Sequence, residues 1–183
     1  MESKKLRVLA LTGMLAAVGY VLQLFEFPLL PAAAFLKFDF GDVAVFIAGS
    51  AMGPGAVILT AVVKGILWAL IGRGADGWIG AGMNTITVIA FALPVAFLAR
   101  SRKMWVKVLA AGLGVVVMTA VMAGTNLVVD PWYFKLSIAA VKAIMVTAII
   151  PFNLLRGLIN AVASVGIMLA LQRTGIFRGS RQA

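Results

Sequence analysis

Four asparagines and one arginine fall inside long apolar runs: Asn84, Asn126, Asn153, Arg156 and Asn160. An amide offers a donor and an acceptor on one group, and a guanidinium offers five N–H donors. These groups recognise a ligand well and catalyse poorly. Asn153, Arg156, Gly157, Asn160 and Ser164 recur at spacings of three and four, which puts them on one face of a helix. Pro151 suits the first position of that helix, where no N–H is needed. A single asparagine in a span is explained by helix–helix hydrogen bonding, worth about 0.6–2 kcal/mol. Several at one level with an arginine point instead to a ligand pocket. Arg156 also needs a counter-charge, and Asp39, Asp42 or the carbonyl groups of a ligand could supply it. Lys64 sits midway along another apolar run, where it either snorkels or pairs with a neighbouring helix.

What is missing narrows the chemistry further. Cysteine and histidine are both absent, which removes disulfides, thiol or imidazole catalysis and the usual zinc ligands. No GxxxxGK[ST] loop is present to cradle a nucleotide. The sequence predicts no catalytic residues, no metal and no enzyme. The spans show no titrating acid away from their ends for proton coupling, so uphill transport would draw its energy from a partner. A stand-alone secondary carrier is the less favoured alternative, and a membrane-embedded enzyme lacks the groups to work with.

The elements that must position these groups are membrane helices. Of 183 residues, 63% are hydrophobic, and the mean hydropathy is +1.08; soluble domains are roughly 45–50% apolar. Apolar runs of about 20 residues read as bilayer spans. The expected fold is an all-α integral membrane protein. It forms a single membrane domain over 1–183, without a cleavable signal or a soluble domain, with six transmembrane helices near 7–25, 41–53, 54–72, 79–99, 106–129 and 151–172. Gly53-Pro54-Gly55 makes a tight turn between the second and third, with a re-entrant hairpin as the other reading. Residues 26–40 form an outer loop, apolar yet carrying two prolines. DPWYFKL from Asp130 reads as another outer loop, and 137–150 as an extracellular or interfacial helix leading to Pro151.

Basic residues set the orientation. Lys4, Lys5 and Arg7, then Arg100, Arg102, Lys103 and Lys107, then Arg173, Arg178 and Arg181 share one face if there are six spans. That face is cytoplasmic, with both termini inside a plasma membrane. The other face carries Lys37, Arg73, Lys135 and Lys142, with Glu26, Asp39, Asp42, Asp76 and Asp130. The net charge of +10 is therefore mainly a topology signal, and nucleic acid is not an expected partner. In the first span, Thr12, Gly13, Ala16, Ala17 and Tyr20 form a small-residue face. It serves close packing either within the bundle or against a partner.

FPLLPAAAFLKFDFGDVAVFIAG, MGPGAVILTAVVKGIL and IIPFNLLRGLIN together resemble the riboflavin-specific S components of energy-coupling factor (ECF) vitamin transporters, over essentially the whole chain. LKFDFGD and PFNLLRG are the more specific parts. The resemblance implies a six-helix protein that binds riboflavin near the outer face, with FMN and flavin analogues as further candidates. It implies partnership with an ECF transmembrane coupling subunit and two ABC ATPases, in contact with membrane lipid. Riboflavin would be a transported ligand, with no catalytic cofactor. Asn153 and Arg156 match the asparagine and basic residue three apart in the last helix, with arginine where lysine is usual. Leu36, Lys37 and Phe38 match the loop that closes over the ligand, and Asn84, Asn126 and Asn160 are further candidates. Gly13, Ala16 and Ala17 match the docking face of the first helix. Another vitamin or a modified base remains an alternative substrate. On this reading, residues 26–40 are a pocket lid, apolar toward the ligand and charged toward water.

Overall fold

The computed structural model describes residues 2–71, 77–98, 101 and 103–173. Of the charges used above for orientation, Arg73, Asp76, Arg100, Arg102, Arg178 and Arg181 lie outside them. Helix α1 runs Glu2–Gln23, and two short strands follow, β1 (Phe27–Pro28) and β2 (Lys37–Phe38). Then come α2 (Gly41–Met52), α3 (Pro54–Ile71), α4 (Gly77–Leu98), α5 (Met104–Tyr133), α6 (Ile138–Ile144) and α7 (Ile150–Arg173). Among the described residues, five helical stretches are long and apolar enough to cross a membrane, and α2 is a shorter apolar helix.

α2 is the axis of the bundle. It packs against α1, α3, α4 and α7, while α4 also packs on α5 and α5 on α7. Eight of its twelve residues are buried, Gly41 through Phe46 with Ala48 and Gly49. Twelve residues rise only about 18 Å, short of the roughly 30 Å hydrocarbon layer. Enclosure by other helices explains how so short an apolar helix is accommodated: its backbone bonds are internal and its sides meet protein. Its start lies very close to α1, because a Cβ on Gly41 would stand 2.5 Å from the Gly19 carbonyl oxygen. Gly53 ends it with a φ of +92°, a conformation glycine adopts without steric cost. The chain then turns directly into α3, as the Gly53-Pro54-Gly55 reading predicts. The apolar core lies lower in the bundle, around Phe46, Phe91, Val115 and Met118, with a second layer at Val45, Val57, Val88 and Ala92.

Two expectations need correction. The helix expected to end near 129 continues to Tyr133, through Asp130 and Pro131. The Asp130 carbonyl accepts the N–H groups of Phe134 and Leu136 and closes the helix, so the connection is only residues 134–137. The helix expected over 137–150 is also not separate from the span expected to begin at 151. α6 runs through a π-helical turn at Met145–Ile149 straight into α7. Pro151 has no N–H for the carbonyl four residues before it, and the wider π spacing carries the chain past that point. Such π turns occur often at functional sites.

Candidate functional site

The residues between α1 and α2 form a cap with its own structure. β1 and β2 pair antiparallel, Phe27 opposite Phe38 and Pro28 opposite Lys37. Phe38 is buried and stacks edge-on against both Phe27 and Phe40. Lys37 Nζ reaches Glu26 Oε1 at 2.6 Å on the exposed side. The cap thus separates an apolar underside from a charged outer edge, as the alternation of phenylalanines and charges suggests. Leu36 is half-buried, and its N–H donates to the Ala33 carbonyl. Phe35 is exposed.

Beneath the cap lies a buried charge cluster that joins four helices. Asp42, in the first turn of α2, is its centre. Its Oδ2 accepts Arg156 Nη2 at 2.7 Å, Arg156 Nε at 3.0 Å and Asn160 Nδ2 at 3.3 Å. Its Oδ1 accepts Lys64 Nζ at 3.2 Å. Arg156 Nη2 also donates to Asn84 Oδ1 at 2.6 Å, which brings in α4. Asp39 stands further off, 4.0 Å from Lys64 and 3.9 Å from Arg156. Its Oδ1 accepts the Gly41 N–H at 2.7 Å, and its own carbonyl accepts from Asn160 at 3.3 Å. Burial pushes the Asp39 carboxyl above the ordinary aspartate range, while the Lys64 charge pulls it back. Asp42, Asp39, Lys64, Arg156 and Asn160 are each at least 94% buried, so these charges interact with little screening by water.

The sequence-predicted residues separate into groups. Asn84, Arg156 and Asn160 meet at this cluster. Asn153 is buried on the same α7 face one turn earlier, where its Nδ2 donates to the Ile149 carbonyl at 2.8 Å. Asn126 is also buried, and its Nδ2 donates to the Met122 carbonyl in its own helix. Arg156 does not await a ligand carbonyl for its counter-charge, because Asp42 supplies it. Lys64 does not snorkel but pairs with the same carboxylate. The first-helix face divides as well. Gly13 and Ala17 are exposed, while Ala16 is fully buried and belongs to an inward stripe with Thr12, Gly19 and Gln23. That stripe packs toward α2 and α3, so Ala16 is withdrawn from the outer surface that Gly13 and Ala17 share.

Several acceptors remain open on this inner surface. The Oδ1 atoms of Asn153 and Asn160 and the hydroxyl of Ser164 are buried with no hydrogen-bond partner among the described residues, as are Thr60 Oγ1 and Gln23 Oε1. Buried polar atoms are satisfied in the large majority of cases, and each exception calls for a cause. Three of these five lie on the polar face of α7. Arg156 and Asn160 are held in place by Asp42 and Asp39, whereas the amide oxygens of Asn153 and Asn160 have no donor among the described residues. What the sequence reading missed is that Asp42 is shared. The signal was present: Asp42 and Lys64 are each eleven residues from Gly53, so an antiparallel α2–α3 hairpin places them side by side.

Known proteins of one family resemble the chain over most of its length. The family model for "ECF transporter, substrate-specific component" matches residues 7–168. The riboflavin transporter FmnP of Bacillus subtilis is 33% identical over 178 residues, covering 92% of this chain and 93% of that protein. The riboflavin transporter RibU of Staphylococcus aureus is 33% identical over 161 residues, covering 84% of each. A solved structure of the S component of a bacterial ECF transporter superposes with a TM-score of 0.76 at 26% identity, over 93% of this chain and 98% of the other. Helix order, the polar face of α7 and these matches lead to one assignment: the chain belongs to the substrate-specific components of ECF transporters.

Proposed function

We propose that this protein captures riboflavin from outside the cell and presents it to an ECF coupling subunit and two ABC ATPases, which drive uptake. The observation that carries the reading is the face of α7. There Asn153 Oδ1, Asn160 Oδ1 and Ser164 Oγ are buried acceptors without a partner among the described residues. Riboflavin brings donors of the required kind, a ring N–H and the ribityl hydroxyls, on a flat body that suits apolar walls with a few placed polar groups. Relatives named as riboflavin transporters support the choice of ligand. The cap over residues 26–40 closes the site, with Phe38 facing inward and the Lys37–Glu26 pair facing water. Gly13 and Ala17 form the exposed small-residue surface for the coupling subunit. Lys4, Lys5 and Arg7 in the first turns of α1, Lys103 and Lys107 at the start of α5 and Arg173 at the end of α7 support a cytoplasmic location for both termini and an outer location for the cap.

The direct test is titration of the purified protein with riboflavin, read by loss of flavin fluorescence. Saturable quenching at or below micromolar ligand is the expected result. No quenching there would overturn the assignment, and competition by a different vitamin or a modified base would redirect it. Uptake into liposomes containing this chain alone would overturn the dependence on partners.

A further inference from the structure

The geometry points to Asp42 as the residue that sets the charge preference of the site, by neutralising Arg156 and Lys64 so that the site favours an uncharged flavin over a phosphorylated one. The inference rests on the riboflavin reading above and deepens it. Arg156 is the cation on the polar face of α7, and an uncompensated guanidinium there would be a strong phosphate site. It is not uncompensated. Asp42 holds Nε and Nη2 at 3.0 and 2.7 Å, and Asn84 takes a further bond from Nη2 at 2.6 Å. Lys64, the second buried cation of the cluster, spends its charge on the other oxygen of the same carboxylate at 3.2 Å. Asp39 gives distant support to both at 3.9–4.0 Å. Two acids thus face two bases beneath the cap.

A ligand carrying a phosphate dianion would bring two negative charges into a place where the positive charge is already taken. To bind it well, the site would have to break a buried pair and leave a carboxylate alone, which is costly. An uncharged ligand asks for no such exchange. It needs only acceptors for its own donors, and the unpartnered amide oxygens of Asn153 and Asn160 on α7 are such acceptors. Asp42 touches no ligand in this account. It is a positioning and charge-setting residue that acts through Arg156 and Lys64.

The experiment is a set of variants differing in net charge at fixed shape, each titrated with riboflavin and with FMN. Asp42→Asn leaves a cation in excess, Lys64→Met leaves an acid in excess, and Asp42→Asn with Lys64→Met restores the balance. The quantity read is the ratio of the two Kd values, which a purely structural defect that weakens both ligands alike would not move. Asp42→Asn is expected to shift the ratio toward FMN by about tenfold, a difference of about 1.4 kcal/mol. Lys64→Met should shift it the other way, and the double variant should return close to the unmutated ratio. A ratio that stays constant across the set, whatever happens to the individual Kd values, overturns the inference. If Asp42→Asn does not fold, the opposite shift in Lys64→Met decides alone. If the unmutated protein binds neither flavin, the riboflavin reading fails first and takes this inference with it.

Discussion

Replacing Asn153 with leucine should strengthen the empty protein and weaken its ligand binding, two effects of opposite sign from one change. In the structure Asn153 is 2% exposed, its Nδ2 donates to the Ile149 carbonyl at 2.8 Å and its Oδ1 has no partner. A buried acceptor left unsatisfied costs about 1–3 kcal/mol. Leucine, close in size, removes that cost and adds apolar contact. The Nδ2 bond is lost, but an intrahelical hydrogen bond to a carbonyl that already serves the backbone is worth at most about 0.5–1.5 kcal/mol. The net change in the ligand-free protein is therefore near zero to about 2 kcal/mol in favour of the variant. On binding the balance reverses. A ligand donor buried against leucine loses its acceptor and carries the same penalty of about 1–3 kcal/mol, which is a five- to 150-fold rise in Kd. Thermal unfolding in detergent, followed by tryptophan fluorescence with and without riboflavin, measures both. The unmutated protein should gain more in Tm from riboflavin than the variant does. If Asn153→Leu lowers the Tm of the empty protein and leaves the Kd unchanged, the amide is a packing group and the ligand role of this α7 face is refuted.

Three further outcomes follow from other contacts. Arg156→Lys keeps the charge but loses the paired Nε and Nη2 bonds to Asp42 and the reach to Asn84; it should retain folding and weaken riboflavin several-fold, and unchanged affinity in the titration would show that guanidinium geometry is irrelevant. Gly41→Ala places a Cβ 2.5 Å from the Gly19 carbonyl oxygen, a backbone atom that cannot turn away, so a destabilisation of about 1–3 kcal/mol should appear as a lower Tm, with an unchanged melt counting against so close an α1–α2 contact. Gly13→Leu meets open space within 4 Å; riboflavin binding should be unaffected while uptake in cells expressing the coupling subunit and ATPases falls, and full uptake would remove Gly13 from the docking surface.

The helices were largely legible because bilayer spans must be long and apolar, and the turn at Gly53-Pro54-Gly55 is written in its residue types. The polar face of α7 was legible for a related reason: spacings of three and four survive whatever the helix packs against. Three things were not. The extension of α5 through Asp130 and Pro131 and the fusion of α6 to α7 go against what acids and prolines usually do to a helix, and only the surrounding bundle decides them. The inward turn of Ala16 could not be separated from the outward turn of Ala17, because adjacent small residues give no amphipathic contrast. The sharing of Asp42 between Lys64 and Arg156 depends on which helices lie next to α2. Half of that was written in the hairpin symmetry about Gly53. The other half joins residues 114 positions apart in the chain, and no local pattern carries it.

That separation has a consequence for biogenesis. During synthesis α2 and α3 leave the ribosome long before α7 exists. A lysine placed centrally in an inserting segment, as Lys64 is in α3, costs about 2.5–3.5 kcal/mol on its own. Emerging as a hairpin, α2 and α3 carry Asp42 and Lys64 as a self-cancelling couple, and the translocon can release them without an exposed charge. Arg156 arrives last and meets a carboxylate that Lys64 already partners, so the final helix closes an electrostatic circuit that the nascent chain opened some hundred residues earlier.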